Sequence, residues 1–177
     1  MKANKKNRGA LMIAVAAVIA ALYVVLTLLS QAVGLLSFDV QLRFSEALCV
    51  LPFFTSSAVP GLALGCVLAN ILTGCAPWDV VFGSLATLIG AIGCFFISKT
   101  LKKRGRETLA MILSPIPNII ANTAILPFVI SWVYESPIPI PLLAVYVFLG
   151  EIASCALGIP LAFALNRRKG SVFGDGE

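Results

Sequence analysis

Histidine is absent from the chain, and charge of either sign is scarce: 13 basic and 8 acidic side chains make up 12% of 177 residues. Without imidazole, the commonest general base and a principal metal ligand are missing, which argues against His-based catalysis and against a resident metal. No G-x-x-x-x-G-K-[ST] loop occurs, so the backbone cradle for a nucleotide phosphate is missing as well. The five cysteines (Cys49, Cys66, Cys75, Cys94, Cys155) are odd in number, contain no C-x-x-C pair and lie mostly in apolar segments. They read as small buried hydrophobes rather than as a disulfide or zinc framework. With so little charge and 59% hydrophobic residues, the chain lacks the polar skin of a soluble domain, and lipid is its expected solvent.

Long apolar runs fill the rest. The first, Ala10 to Leu29, follows the basic stretch MKANKKNRG. It is longer than the hydrophobic region of a secretory signal and has no convincing small-residue cleavage site after it, so a retained helix is expected. Twelve of the 13 basic residues fall in three groups: Lys2, Lys5, Lys6 and Arg8; Lys99, Lys102, Lys103, Arg104 and Arg106; Arg167, Arg168 and Lys169. Cytoplasmic loops collect Lys and Arg, so all three groups are expected inside, with an even number of spans between each pair.

At about 20 residues per crossing, the spacing predicts an all-α integral membrane protein of six transmembrane helices with both termini cytoplasmic. The expected spans are roughly 10–30, 42–57, 59–74, 78–98, 108–133 and 141–166, with a basic cytoplasmic loop at 99–107 and a cytoplasmic tail at 167–177. Turns are marked by Pro60-Gly61, by Gly74 to Pro77 and by ESPIPIP at 135–141. The second and third spans are short and share a tight junction. No inverted repeat stands out, and residues 1–177 read as one membrane domain.

Ionised side chains are costly in a bilayer and mark function or pairing. Asp39, Arg43, Glu46, Asp79 and Glu151 are the candidates, whereas Glu135 sits in the Pro-rich loop. If 38–52 is α-helical, Asp39, Arg43 and Glu46 share one face at i, i+4, i+7, and ion pairing among them is the plain alternative to ligand binding. From the assumed topology, Asp39, Arg43, Glu46, Asn70, Trp78 and Asp79 lie near the external face, and Asn118 and Glu151 near mid-depth. Asn118 and Asn122 share a helix face with Ser114. Together these groups suggest an outward-opening cavity lined by Arg43, Glu46, Asn70, Asp79, Asn118, Asn122 and Glu151, with Trp78 and Tyr146 either stacking on a ligand or belonging to an interfacial aromatic belt, the role expected of Trp132 and Tyr134. On the first helix Ala16, Ala17, Ala20 and Ala21 recur at a four-residue period, which lets another helix approach closely, inside the chain or from a partner.

The runs LRFSEALCVLPFFT, DVVFGSLATLIGA, PIPNIIANT and LGEIASCALGIPL resemble the QueT family, queuosine-precursor substrate-binding subunits of energy-coupling factor (ECF) transporters, over residues 10–166. The resemblance implies a six-helix membrane subunit that binds a 7-deazaguanine base or nucleoside near the external side for ATP-driven import and performs no catalysis itself. It also implies partners: a transmembrane coupling subunit that docks on the alanines of the first helix, and two cytoplasmic ATPases that use the ATP, with no cofactor in this chain and no nucleic acid. Such subunits are thought to topple in the membrane. The rival reading is a stand-alone secondary transporter of a small cationic or nucleobase-like metabolite, with Asp79 or Glu151 as a proton site. An intramembrane enzyme built on Ser45 beside Glu46, or a purely structural subunit, are the remaining readings. A guanine-like edge would offer paired N–H donors to one carboxylate and its carbonyl to Asn or Arg43, and Glu46 and Glu151 are the expected principal contacts, with Asp79 next.

Overall fold

The computed structural model describes the backbone of residues 5–35 and 42–168 and the side chains of 8–35 and 42–168. Asp39, Lys2 and Lys169 therefore lie outside the described residues, as does the tail beyond 168. Every regular element among the described residues is helical: α1 (Lys5–Ala32), a 3-10 helix (Phe44–Phe53), α2 (Ala58–Leu72), α3 (Pro77–Lys103), α4 (Glu107–Leu113), α5 (Ile116–Val133), α6 (Ile140–Ala156) and α7 (Gly158–Arg167).

Among the described residues, four helices are long and apolar enough to cross a membrane: Arg8–Ala32, Pro77–Lys103, Glu107–Val133 and Ile140–Arg167. The last two are each two segments in tandem. Pro115 and Pro117 interrupt the first of them, and in the second Pro160 cannot donate to the carbonyl of Ala156, so α6 ends and α7 resumes after Leu157. α3 begins with Pro77 at its first turn and Asp79 beside its positive end, and closes with Lys102 and Lys103 against its carbonyl end.

The expected span 42–57 takes a different form. Arg43 is extended, at φ −108 and ψ 115, and the chain then winds as ten residues of 3-10 helix containing Pro52. At about 2 Å per residue that element covers roughly 20 Å, short of a hydrocarbon core of about 30 Å. The i, i+4, i+7 face expected of Asp39, Arg43 and Glu46 therefore does not form over the described residues. An apolar run has no periodicity that distinguishes a 3-10 from an α-helix, and Pro52 removes a donor from the interior of this one. Ser45, Glu46 and all of Leu48–Phe53 are buried. The element is a central post wrapped by other helices, with little of its surface left exposed.

Glycines set the closest approaches. A Cβ on Gly61 would lie 2.8 Å from the Ala16 carbonyl oxygen, and one on Gly65 would lie 2.7 Å from Tyr23 Cβ and 3.1 Å from Ala20 Cα. The pairs 61 with 16 and 65 with 20 ascend together, so α2 runs parallel to α1 through a Gly-x-x-x-Gly contact. α3 and α5 run oppositely, Gly83 meeting Leu126, Gly90 meeting Asn118 and Gly93 meeting Pro117. Phe53, Phe54, Leu101, Leu161 and Leu165 share one apolar cluster. Leu161 and Leu165 also flank Ala14 and Val15 along a groove, so the last turn of α3, the end of α7 and the N-terminal half of α1 gather at one end of the bundle, the end that carries the basic residues.

Candidate functional site

Four segments deliver polar side chains to one buried place. Glu46 projects from the first turn of the 3-10 helix, Asn70 from the last turn of α2, Asn118 and Asn122 from α5, and Glu151 from α6. Arg43 precedes the 3-10 helix and is 8% exposed, while Glu46, Asn118 and Glu151 are 3%, 1% and 6% exposed. All have left water, so each requires hydrogen-bonding or charged company.

Asn118 is the hub. Its amide Nδ2 donates to Glu46 Oε2 at 2.8 Å and to Glu151 Oε2 at 3.2 Å, so one NH2 group bridges two carboxylates from different elements. The bridge depends on Gly90: a Cβ there would lie 2.5 Å from Asn118 Oδ1 and 2.6 Å from Asn118 Cα. The Tyr23 hydroxyl donates to Glu46 Oε1. Thr27, one turn further along α1, donates to the Tyr23 carbonyl at 2.9 Å and shares a hydroxyl–hydroxyl hydrogen bond of 2.8 Å with Ser45 Oγ. Asn122 is a hydrogen-bond partner of Glu151. The Cys155 thiol is 3.8 Å from Glu151 Oε2 and 3.5 Å from Cys49 Sγ.

A second group joins this one through Arg43. Its Nη1 donates to Asn70 Oδ1 at 2.9 Å, and the Arg43 backbone N–H donates to Ser154 Oγ at 3.1 Å. The guanidinium also interacts electrostatically with Asp79 and Glu46. Asp79 is 3% exposed and accepts from the Tyr134 hydroxyl at 2.8 Å, and that hydroxyl in turn accepts from the Ala76 backbone N–H at 3.2 Å. Burial pushes the Tyr134 phenol well above its ordinary value, with Asp79 adding to the rise, so it stays protonated and donating at physiological pH.

The structure thus unites Arg43, Glu46, Asn70, Asp79, Asn118, Asn122 and Glu151, all named from sequence. It does not bring Trp78 or Tyr146 into their hydrogen-bond network. Trp78 is 62% exposed and lines a cleft of about 530 Å³ with Phe82, Phe128 and Trp132 on the outer face of α3 and α5. Tyr146 is half-buried on α6. Tyr134, expected in an aromatic belt, instead holds Asp79. The alanines divide: Ala20 is buried and Ala16 half-buried against α2, while Ala17 and Ala21 are exposed. The sequence reading missed Tyr23, Thr27, Ser154 and the role of Tyr134. A signal existed for the first two, since Tyr23, Thr27 and Ser30 form an i, i+4, i+7 polar stripe on α1. Ser154 lies three residues past Glu151, on its face.

Neighbouring side chains cover the acids, which are almost wholly withdrawn from the surface. An ionised carboxylate offers about four acceptor positions, more than the two donors that Glu46 receives from Tyr23 and Asn118. With three carboxylates around one guanidinium, the cluster suits a guest that brings N–H donors and positive charge.

Tyr134→Phe should lower the free energy of unfolding by about 1 to 3 kcal/mol, because it strips a buried carboxylate of a donor and Ala76 of an acceptor. Thermal unfolding in detergent checks this, and an unchanged midpoint would show that Asp79 does not rely on Tyr134.

Comparison with known proteins fits the helical architecture. A family model described as QueT transporter matches residues 13–167. A curated relative, the queuosine precursor transporter QueT of Lactococcus lactis subsp. cremoris (strain MG1363), is 35% identical over 74 residues, which is 41% of this chain and 43% of that protein. The chain therefore matches less than half the length of this relative. No solved structure matches it. Several helices long enough to span a bilayer and a family match over most of the sequence make this a multi-pass membrane protein, and the chain belongs to the QueT transporter family.

Proposed function

We propose that this chain is the substrate-binding subunit of an energy-coupling factor importer and that its cargo is a queuosine precursor, a 7-deazaguanine. The observation that carries the reading is the Asn118 amide held between the Glu46 and Glu151 carboxylates. A guanine-like edge presents adjacent N–H and NH2 donors that match one carboxylate in a bidentate manner, whereas the Asn118 NH2 spans one oxygen from each of two carboxylates. The second carboxylate then neutralises an aminomethyl cation, and Arg43 or Asn70 donates to the base carbonyl. In this proposal the ligand takes the place of the Asn118 bridge and of part of the Arg43 contact with Asn70.

The finer topology belongs to the same proposal: six crossings, with the 3-10 helix and α2 as the two short ones, the basic end in the cytoplasm and the site opening outward. The gathering of basic residues at one end supports that orientation. Ala17 and Ala21 are the proposed contact with a coupling subunit, because Ala16 and Ala20 are engaged with α2. Two partner ATPases supply the energy.

Uptake of a labelled 7-deazaguanine by cells expressing this chain with and without a coupling subunit and paired ATPases tests the reading. The expected result is accumulation only with the full set. Accumulation by the chain alone would overturn it in favour of a secondary transporter.

A further inference from the structure

Two free thiols lie one turn away from the acids of the polar cluster. Cys49 follows Glu46 by three residues on the 3-10 helix, and Cys155 follows Glu151 by four on α6, so each thiol sits on the face of its element that carries the carboxylate. Their sulfurs are 3.5 Å apart and both residues are buried. We propose that Cys49 and Cys155 are a reversibly oxidisable pair, closed to a disulfide by a small uncharged peroxide, and that the bond locks the 3-10 helix to α6 and arrests exchange of the cargo. Formation of the bond stands on the thiol geometry, while its effect on cargo rests on the function proposed above.

Sulfurs in a disulfide are about 2.05 Å apart, so this pair must close by about 1.5 Å. The two residues stand 106 apart in the chain, and the bond would join elements that otherwise meet only by packing and hydrogen bonds. The other thiols are engaged elsewhere. Cys66 accepts from Asn70 Nδ2 at 3.6 Å and from Thr87 Oγ1 at 3.4 Å, Cys75 Sγ lies 3.4 Å from Thr73 Oγ1, and Cys94 Sγ lies 4.0 Å from Ser98 Oγ.

Cys155 is equipped to attack. Its thiol donates to Glu151 Oε2 at 3.8 Å, its sulfur lies 3.7 Å from the Asn118 Nδ2 donor, and the Cys49 S–H is directed at it. In the first step the Cys155 sulfur takes the terminal oxygen of the peroxide as the O–O bond breaks. Its proton passes to Glu151 and on to the departing alkoxide or hydroxide, leaving a sulfenic acid and an alcohol or water. In the second step the Cys49 sulfur displaces that oxygen, its proton leaves with the oxygen as water, and the S–S bond forms. The thiols are oxidised by two electrons and the peroxide is reduced by two. A small neutral oxidant suits so buried a pair, which charged or bulky ones would not reach. Replacing the Asn118 bridge by a ligand requires Glu46 and Glu151 to part, and a bond one turn from both carboxylates opposes that.

The test treats the full chain in lipid nanodiscs with hydrogen peroxide, blocks remaining thiols with N-ethylmaleimide and digests without reduction for mass spectrometry. The expected product is a Cys49–Cys155 peptide pair that dithiothreitol separates. Absence of that pair, or equal yields of links to Cys66 or Cys94, would overturn the proposal. Release of bound 7-aminomethyl-7-deazaguanine should slow at least about 10-fold on oxidation and recover with dithiothreitol, whereas Cys49→Ser should release it at the same rate before and after peroxide. A linked protein that releases cargo at the unlinked rate would overturn the lock. Should the reduced protein bind no 7-deazaguanine, the function proposed above fails and thermal unfolding decides the lock by itself. Oxidation should then raise the midpoint by about 5 °C or more in the wild type and in the Cys75→Ser control and leave Cys49→Ser unmoved, and an unmoved wild type would overturn it.

Discussion

Glu46→Gln should weaken binding of 7-aminomethyl-7-deazaguanine about 100-fold, and Glu151→Gln about 10-fold to 100-fold. Glu46 meets donors from two elements, Tyr23 on α1 and Asn118 on α5, and stands at the start of a buried post. Changing its carboxylate to an amide removes one acceptor and the negative charge together. Hydrogen bonds to charged groups contribute about 1.5 to 3 kcal/mol, and every 1.4 kcal/mol is tenfold in affinity. Glu151 shares the Asn118 amide and is also served by Asn122 and Cys155, so its environment tolerates the change better. Stability should move less than affinity. Removing a charge from a site with three carboxylates and one guanidinium relieves repulsion, which offsets part of the cost of the buried donor left facing an amide N–H, so each variant should lose no more than about 1 to 3 kcal/mol of stability. Calorimetric titration paired with thermal unfolding separates the two effects. Loss of stability in step with loss of affinity would show that the carboxylates serve the fold instead of a ligand.

The second large effect is expected away from any polar atom, at Gly90. Alanine there would place its Cβ 2.6 Å from Asn118 Cα, a backbone atom that cannot rotate aside. α3 and α5 must then separate, at a cost typical of overpacking, about 1 to 3 kcal/mol. Because the displaced residue is the one that bridges Glu46 and Glu151, affinity should fall at least about 10-fold. Gly9→Ala is the control: nothing lies within 4 Å of a Cβ at Gly9, so that variant should match the wild type in both respects. A Gly90→Ala protein with normal stability and affinity would mean that Asn118 is not held as described.

Much of the site was legible because charge and amide groups are conspicuous against lipid. Glu46, Asp79 and Glu151 stand out in apolar runs, since the bilayer penalises each of them, and Asn118 and Asn122 share a face by simple helical spacing. Tyr23, Thr27 and Ser154 were not legible to the same degree, because Tyr, Thr and Ser occur throughout membrane helices as belt or packing residues. Only their partners reveal that these serve the acids. Trp78 and Tyr134 were assigned by neighbourhood, one beside Asp79 and the other near a loop. Helix phase decides differently: Trp78 points out, and Tyr134 reaches Asp79 from the end of α5.

On the fold side, the four long apolar helices among the described residues followed from length and hydropathy alone. The 3-10 form of Phe44–Phe53 did not, because a segment buried all round carries no polar face to report its period. The Gly61 and Gly65 spacing was present in the sequence, but its partner was not. Only the packing shows that it takes up the Ala16 and Ala20 half of the alanine pattern on α1.

The central claim is that Glu46, Asn118 and Glu151 together form the seat of a small cationic base. Its most direct test is mass spectrometry of small molecules retained through purification, with wild type and Glu46→Gln/Glu151→Gln expressed in the same cells and each quantified per folded chain. The expected result is a 7-deazaguanine at close to one per chain in the wild type and none in the double variant, with both proteins equally folded. A folded double variant that keeps the same molecule at the same occupancy would contradict the account.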